Sequence, residues 1–391
     1  MSDKRCFLDK VHIQNYLSLR DVRFALKPLT VIVGPNASGK SNIVHSLDLL
    51  KTMMIADELP SAQYLQDVLW AGEADHIEFE LEFTVKGKRA NYRLRLTAES
   101  DPVALEELLV NDVKVISIKN GNGEVRDEDA KNPTKYRSNK LALKSAGDYG
   151  NKPVTGALTA FIKGWQFYDF DPDMMRSSPF AILELMEGRS RKKAEPHKTP
   201  HLDAAGGTLK RLLDYWHENK SELFQATNDS LERCTNLKID LCPIDGEDEL
   251  CLQEGYKKPI PLRKASDGTL RLIAYYVLLN QPDIPPLIAI EEPERNLHPA
   301  VFTYIANALE QLAERTQVII TTHSSQLLDA FNSKSLSDAM AVLLLQNRRG
   351  VGTQVMNLEE ARQNEALEGW IQDFGIGSAI FDSELLQMEE S

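Results

Sequence analysis

Hydrophobic positions change period several times along the chain, and each period predicts an element. Leu29 to Gly34 (LTVIVG) is short, apolar and β-branched, the pattern of a buried strand. From Ser41 to Met54 apolar residues fall at helical spacing, at Ile43, Val44, Leu47, Leu49, Leu50 and Met53. Residues 77–98 alternate instead: Ile77, Phe79, Leu81 and Phe83, then Tyr92, Leu94 and Leu96, around Gly87. That predicts a hairpin. Residues 112–152 are rich in Asn, Lys, Asp and Gly and read as loops with short strands. Gly164 to Phe170 reads as a strand. The segment from about 204 to 234 reads as helical, with Leu209, Leu212, Leu213 and Trp216 on one stripe that Leu223, Phe224 and Leu231 continue. Leu270 to Leu279 (LRLIAYYVLL) predicts a buried helix, and Pro286 to Ile290, Gln317 to Thr321 and Ala339 to Leu345 predict buried strands. Leu358 to Phe374 closes the series as an acidic helix. Apolar strands interspersed with helices indicate an α/β fold.

The turn between the first buried strand and its helix carries chemistry. It reads Gly34-Pro35-Asn36-Ala37-Ser38-Gly39-Lys40-Ser41, the full G-x-x-x-x-G-K-S pattern in the strand–loop–helix context that the pattern requires. Glycines let backbone N–H groups turn toward an anion without a Cβ clash. The helix N-terminus adds partial positive charge. Lys40 is expected to reach the β- and γ-phosphates of ATP, and the Ser41 hydroxyl to ligate Mg²⁺.

A second set of residues begins about 225 positions downstream of Ser41, with Ser266-Asp267-Gly268-Thr269. The strand Pro286 to Ile290 then runs into Glu291 and Glu292, at the strand end where open α/β sheets bind ligands. Adjacent acids there can divide labour: Glu291 on the magnesium shell, Glu292 on the attacking water. The strand Gln317 to Thr321 leads to Thr322-His323-Ser324. Taken alone, His323 reads as a structural or surface residue. Beside the other motifs it reads as a contact to the γ-phosphate or the attacking water.

The order of these motifs resembles ABC-type ATPases of the SMC/RecF branch, and most closely the stand-alone RecF-like ATPases and the ATPase half of OLD-family nucleases. The resemblance rests on Val11-His12-Ile13-Gln14-Asn15-Tyr16 followed by residues 29–41, on Lys264 to Arg271 as a variant signature, on Glu291 to Pro299 as Walker B plus D-loop, and on His323 at the switch-histidine position. It implies a P-loop NTPase of ABC-type ATPase head form with an added antiparallel β-sheet and a helical insert. Three units are expected: residues 1–178 as an N-terminal lobe, 179–235 as a helical insert and 236–391 as a C-terminal lobe. It also implies a mechanism in which Ser266, Asp267 and Gly268 of one subunit close on ATP held by the Walker A of another, so the working unit is a homodimer or a higher even oligomer.

The chain departs from the family pattern at Asp267 and Thr269 in the signature and at Glu291, which stands in place of the usual aspartate. Turnover is therefore expected to be slow. No Q-loop glutamine is evident. Gln166 is one candidate, and the F-x-P-like stretch Phe170-Asp171-Pro172 makes Asp171 the other, at the metal-facing position. The gap between the first motif and the signature holds no sustained heptad repeat, which argues against long coiled coils.

Charge and composition narrow the partners. The net charge of −13 argues against a protein coated in DNA-binding surface, though a local groove stays open. Basic residues gather at Arg189, Arg191, Lys192, Lys193 and Lys198, and again from Lys131 through Lys135, Arg137 and Lys140 to Lys144; solvated loops explain both. No run spans a membrane and no signal peptide is read. Cys6, Cys234, Cys242 and Cys251 form no C-x-x-C pair and read as reduced, mostly buried thiols of a cytoplasmic protein. Too little chain follows residue 330 for a Toprim nuclease domain, so nuclease activity is expected to reside in a partner. The resemblance thus points to an ATPase switch controlling an effector, a nuclease or toxin, in antiphage defence. A RecF-like repair ATPase that binds DNA directly is the alternative, and a transporter motor is a further one that the long insert disfavours.

Overall fold

The computed structural model describes residues 6–382 apart from 73, 138–139, 177–199, 245, 254–257, 333–335, 337–338 and 362–364. Its centre is a six-stranded sheet in the order β10-β14-β15-β3-β16-β17. The strands are β3 (Leu29–Val33), β10 (Gln166–Tyr168), β14 (Leu287–Glu291), β15 (Gln317–Thr322), β16 (Met340–Arg348) and β17 (Gly352–Asn357). The pairs among β10, β14, β15, β3 and β16 are parallel, and β17 returns antiparallel along β16. Residues from both ends of the chain thus share one sheet.

β3, β14 and β15 are buried along nearly their whole length because both faces are covered, as in parallel sheets generally. Ile32, Leu287, Ala289 and Ile319 face one core, together with Ile43, Leu47 and Leu50 of helix α1 (Lys40–Ile55). Their strand neighbours Val31, Val33, Ile288, Ile290, Val318 and Ile320 face a second core. That second core is closed by the helices Leu209–Asn219, Ser221–Thr235, Asp267–Asn280 and Phe302–Arg315.

An eight-stranded antiparallel sheet lies over the first core, in the order β2-β1-β4-β5-β6-β7-β8-β9. It runs from β1 (Cys6–Tyr16) and β2 (Leu19–Ala25) through β4 (Ile77–Val85), β5 (Lys88–Leu96), β6 (Val103–Val110), β7 (Val113–Lys119) and β8 (Asn122–Val125) to β9 (Thr134–Arg137). The predicted hairpin is β4–β5, with Ile77 opposite Leu96 and Val85 opposite Lys88. The predicted strand at 164–170 is narrower, since three residues of β10 pair with β14. The helical stretch expected from about 204 begins at Leu209. Residues 177–199, with the first basic cluster and the start of the expected insert, lie outside the described residues. Among the described residues no helix is long and apolar enough to cross a membrane.

The expectation of four reduced thiols is corrected. Cys242 and Cys251 form a disulfide, with their Cα atoms 6.0 Å apart. They lie on β11 (Lys238–Ile244) and β12 (Glu247–Gln253), whose antiparallel register sets Cys242 opposite Glu249 and Cys251 opposite Asp240. The two cysteines are therefore diagonal neighbours, within bridging reach. Linear spacing alone does not reveal this pairing, which depends on strand register. Cys6 and Cys234 are free and half-buried.

One buried acid gives the fold a pH dependence. Glu106 on β6 is fully buried and accepts hydrogen bonds from the N–H groups of Ala142 and Leu143 and from the Tyr92 hydroxyl. Burial pushes its carboxyl up to about 7 against the pull of those donors. A carboxyl raised in the folded state contributes stability below its unfolded value, and that contribution is lost as pH climbs through the folded value. The loss amounts to roughly 3 kcal/mol between the two. The thermal midpoint is expected to fall between pH 5 and 8. Glu106→Gln should flatten that decline, and an equal slope in both proteins would show that Glu106 does not titrate there.

Candidate functional site

β3 delivers the chain into the loop Gly34 to Gly39, and α1 leads out of it. Gly39 has φ 101°, the left-handed region that favours glycine, and α1 starts there without a side-chain cap. The first-turn N–H groups are thus left for an anion. A Cβ on Gly34 would stand 2.4 Å from the Leu345 carbonyl oxygen, so only glycine allows the loop to pack on β16. Thr353 of β17 donates to the Ser38 carbonyl at 3.0 Å, and Asn347 donates to the Ala37 carbonyl at 3.2 Å. The β16–β17 hairpin therefore cradles the loop from behind, a support the sequence reading missed.

Lys40 is buried. Its ammonium donates to the carbonyls of Gly34 at 2.8 Å and Pro35 at 3.0 Å. Burial draws its pKa down, opposed by the charges of Glu292, Glu294 and Glu291.

β14 carries Glu291 to the same place, because β15 lies between β14 and β3 and all three run parallel. The Ser41 hydroxyl donates to Glu291 Oε2 at 2.5 Å across 250 residues. His45 Nε2 stands 3.5 Å from Glu291 Oε1. Burial would raise the Glu291 carboxyl, but the hydrogen bonds from His45 and Ser41 outweigh it and hold the group below the usual carboxylate range. The same hydrogen bond raises the His45 imidazole. His45 was not foreseen, yet it lies one helical turn beyond Ser41, on the same face.

Glu292 sits on the turn after β14 with φ 44°, an uncommon conformation for a residue with a side chain. Its N–H donates to the Thr321 carbonyl at 3.0 Å, which fixes the turn. Its Oε1 meets His323 Nδ1 at 3.1 Å. Glu294 backs this pair. It is buried, accepts from the Thr322 hydroxyl at 2.6 Å, and burial raises its carboxyl.

The signature residues lie apart. Ser266 caps the helix Asp267–Asn280 by accepting from the Thr269 N–H at 3.2 Å. Asp267 is bonded by Arg176 and, at 3.2 Å, by Asn296. A Cβ on Gly268 would stand 2.5 Å from the Asn296 carbonyl oxygen, so glycine is needed where this loop crosses the turn after β14. No hydrogen bond or ion pair joins these residues to the Gly34–Ser41 loop among the described residues.

The two candidates for the Q-loop lie on either side of the end of β10, Gln166 at its start and Asp171 beyond its end. Asp171 Oδ1 accepts from the Asp173 N–H at 2.8 Å at the start of α5 (Pro172–Arg176), and no bond links it to Ser41 or Glu291. Gln166 accepts from Lys51 at 3.3 Å, near the far end of α1. Asp169 stands closer to the cluster: it follows Tyr168, which pairs with Ile290, and its charge reaches His45. Asp169 is ion-paired with Arg295. The second basic scatter is partly engaged locally. Lys131 pairs with Asp129 and Lys140 with Asp57, each at 3.1 Å, while Lys144 donates to the Ile55 carbonyl at 3.0 Å.

The donor set suits a magnesium nucleotide: a hydroxyl and a carboxylate as hard oxygen ligands, beside a glycine cradle with a buried ammonium. Two family models match parts of the chain. Residues 7–152 match a family model described as "AAA ATPase domain". Residues 186–329 match one described as "AAA domain, putative AbiEii toxin, Type IV TA system". An OLD nuclease of Thermus scotoductus is 29% identical over 100 residues, 24% of this chain and 18% of that protein. The match thus spans under a fifth of that relative. An Smc head bound to the C-winged helix domain of ScpA superposes with a TM-score of 0.53 at 14% identity, covering 92% of this chain and all of the other. An Smc head with an extended coiled coil, bound to the C-terminal domain of ScpA from Pyrococcus furiosus, gives the same TM-score and identity over 93% of this chain and 99% of the other. The fold is that of an ABC/SMC-type P-loop ATPase head, and the chain resembles OLD-type proteins.

Proposed function

We propose that this chain is an ATP-binding and hydrolysing switch that works as a dimer. Each site is built from the P-loop of one copy and the serine-glycine loop of the other. One observation carries the reading. Ser41 bonds to Glu291 and the adjacent Glu292 bonds to His323, which gathers one cluster, while Ser266, Asp267 and Gly268 are held elsewhere by Arg176 and Asn296. A chain that carries both half-sites without joining them needs a second copy to complete either.

In this reading Lys40 and the loop N–H groups hold the triphosphate, and Ser41 and Glu291 are the residues that would hold Mg²⁺. Magnesium, when bound, neutralises charge on the β- and γ-phosphoryl oxygens. Glu292 orients the attacking water and accepts its proton, with His323 fixing the carboxylate. The partner's Ser266 and Gly268 present a helix N-terminus to the terminal phosphate. Closure then alters a surface read by an effector. The likeness to an OLD nuclease and to a toxin-linked family supports a nuclease or toxin in antiphage defence.

Ser266→Arg tests the shared site. It should spare nucleotide binding, block ATP-dependent dimerisation measured by light scattering, and lower turnover by about tenfold or more. A wild-type rate in that variant would remove the trans role of the loop. A nuclease or toxin encoded beside this chain that co-purifies only with ATP would support the effector arm.

A further inference from the structure

Asp267 puts a carboxylate on the loop that, in the shared-site reading on which this inference rests, meets a phosphate. Like charges brought together in a closing interface oppose it strongly. The chain supplies an answer from 91 residues earlier. Arg176, at the end of α5, bonds Asp267 Oδ1 through Nη2, and the same nitrogen donates to the Ala265 carbonyl at 3.0 Å. Its Nη1 meets Asp173 Oδ1 at 3.0 Å. The Asp173 side chain is 91% exposed and that of Asp267 48%, so solvent screens the Asp173 contact more and Asp267 is the main electrostatic partner. Asn296 donates to the other carboxylate oxygen at 3.2 Å. A planar guanidinium can span a carboxylate and a neighbouring carbonyl, which an ammonium does less well.

We propose that Arg176 is the resident counter-ion of the serine-glycine loop: it neutralises Asp267 and pins Ala265, so that the loop can close on the terminal phosphate of nucleotide held by a second copy. Arg176 acts through Asp267 and is a positioning residue. Without it, an uncompensated carboxylate would face the incoming phosphate. Without both, the loop would be neutral again.

ATP-dependent dimerisation, followed by light scattering in full-length wild type, Arg176→Ala, Asp267→Asn and the double variant, tests this. Arg176→Ala should raise the ATP concentration for half-maximal dimerisation by about tenfold or more. The double variant should return to within about threefold of Asp267→Asn alone, a non-additivity that a purely structural arginine would not produce. Arg176→Lys should fall between wild type and Arg176→Ala. Wild-type dimerisation by Arg176→Ala, or a double variant as impaired as Arg176→Ala, would overturn the proposal. Ser266→Arg separates the two levels. If it dimerises normally, the shared site itself fails. If it is blocked while Arg176→Ala closes normally, only the role of Arg176 fails.

Discussion

Lys40→Ala is expected to abolish saturable nucleotide binding. Lys40 is the cation of the loop, buried, with its ammonium on the Gly34 and Pro35 carbonyls. Glu291, Glu292 and Glu294 all act on it electrostatically. Without the ammonium, a triphosphate would enter a site in which those three carboxylates are no longer balanced by the buried lysine. Charge-assisted hydrogen bonds to phosphate are the strong kind. Affinity for a fluorescent ATP analogue should therefore fall on the order of 100-fold or more. Titration by equilibrium fluorescence, with circular dichroism to confirm folding, reads the result. Unchanged affinity would mean that the loop is not a phosphate site. The effect should exceed that of Ser41→Ala, because Ser41 contributes one neutral hydroxyl.

The parts of this site written locally in the chain could be read from it. β3, the glycine loop and α1 are contiguous, and the loop's spacing is itself the geometric requirement. The helix Asp267–Asn280 and strands β14 and β15 were legible because each is largely apolar and buried. Parts held by tertiary contact were not. The carbonyl of Leu345 that confines Gly34 belongs to backbone, which leaves no residue-type signature. The bond of Cys242 to Cys251 depends on strand register. The end of β10 at Tyr168 rather than Phe170 depends on its pairing with β14. His45 and Glu294 had a usable signal. One lies a helical turn beyond Ser41, and the other follows the acid pair Glu291-Glu292 by two residues.

Glu292→Gln should separate binding from turnover. The substitution keeps shape and removes the charge. Gln can still meet His323 Nδ1, which lies 3.1 Å from Glu292 Oε1, but it cannot accept a proton from water. General-base residues contribute typically about 10²–10⁴-fold, so turnover should fall by at least about 100-fold. Nucleotide affinity should persist, because Lys40, Ser41 and Glu291 are untouched, and the dimer should accumulate in ATP. The neighbouring Glu291→Gln should behave differently. It would weaken the oxygen ligand paired with Ser41, so its defect should appear in the magnesium concentration needed for binding. Normal hydrolysis by Glu292→Gln would move the base elsewhere. Glu294 is poorly suited to take over: it is buried, and Oε1 already accepts from the Thr322 hydroxyl at 2.6 Å. A base held in place by two strand-end residues and a left-handed turn is hard to replace by its neighbours, so the loss in Glu292→Gln should not be recovered by raising pH.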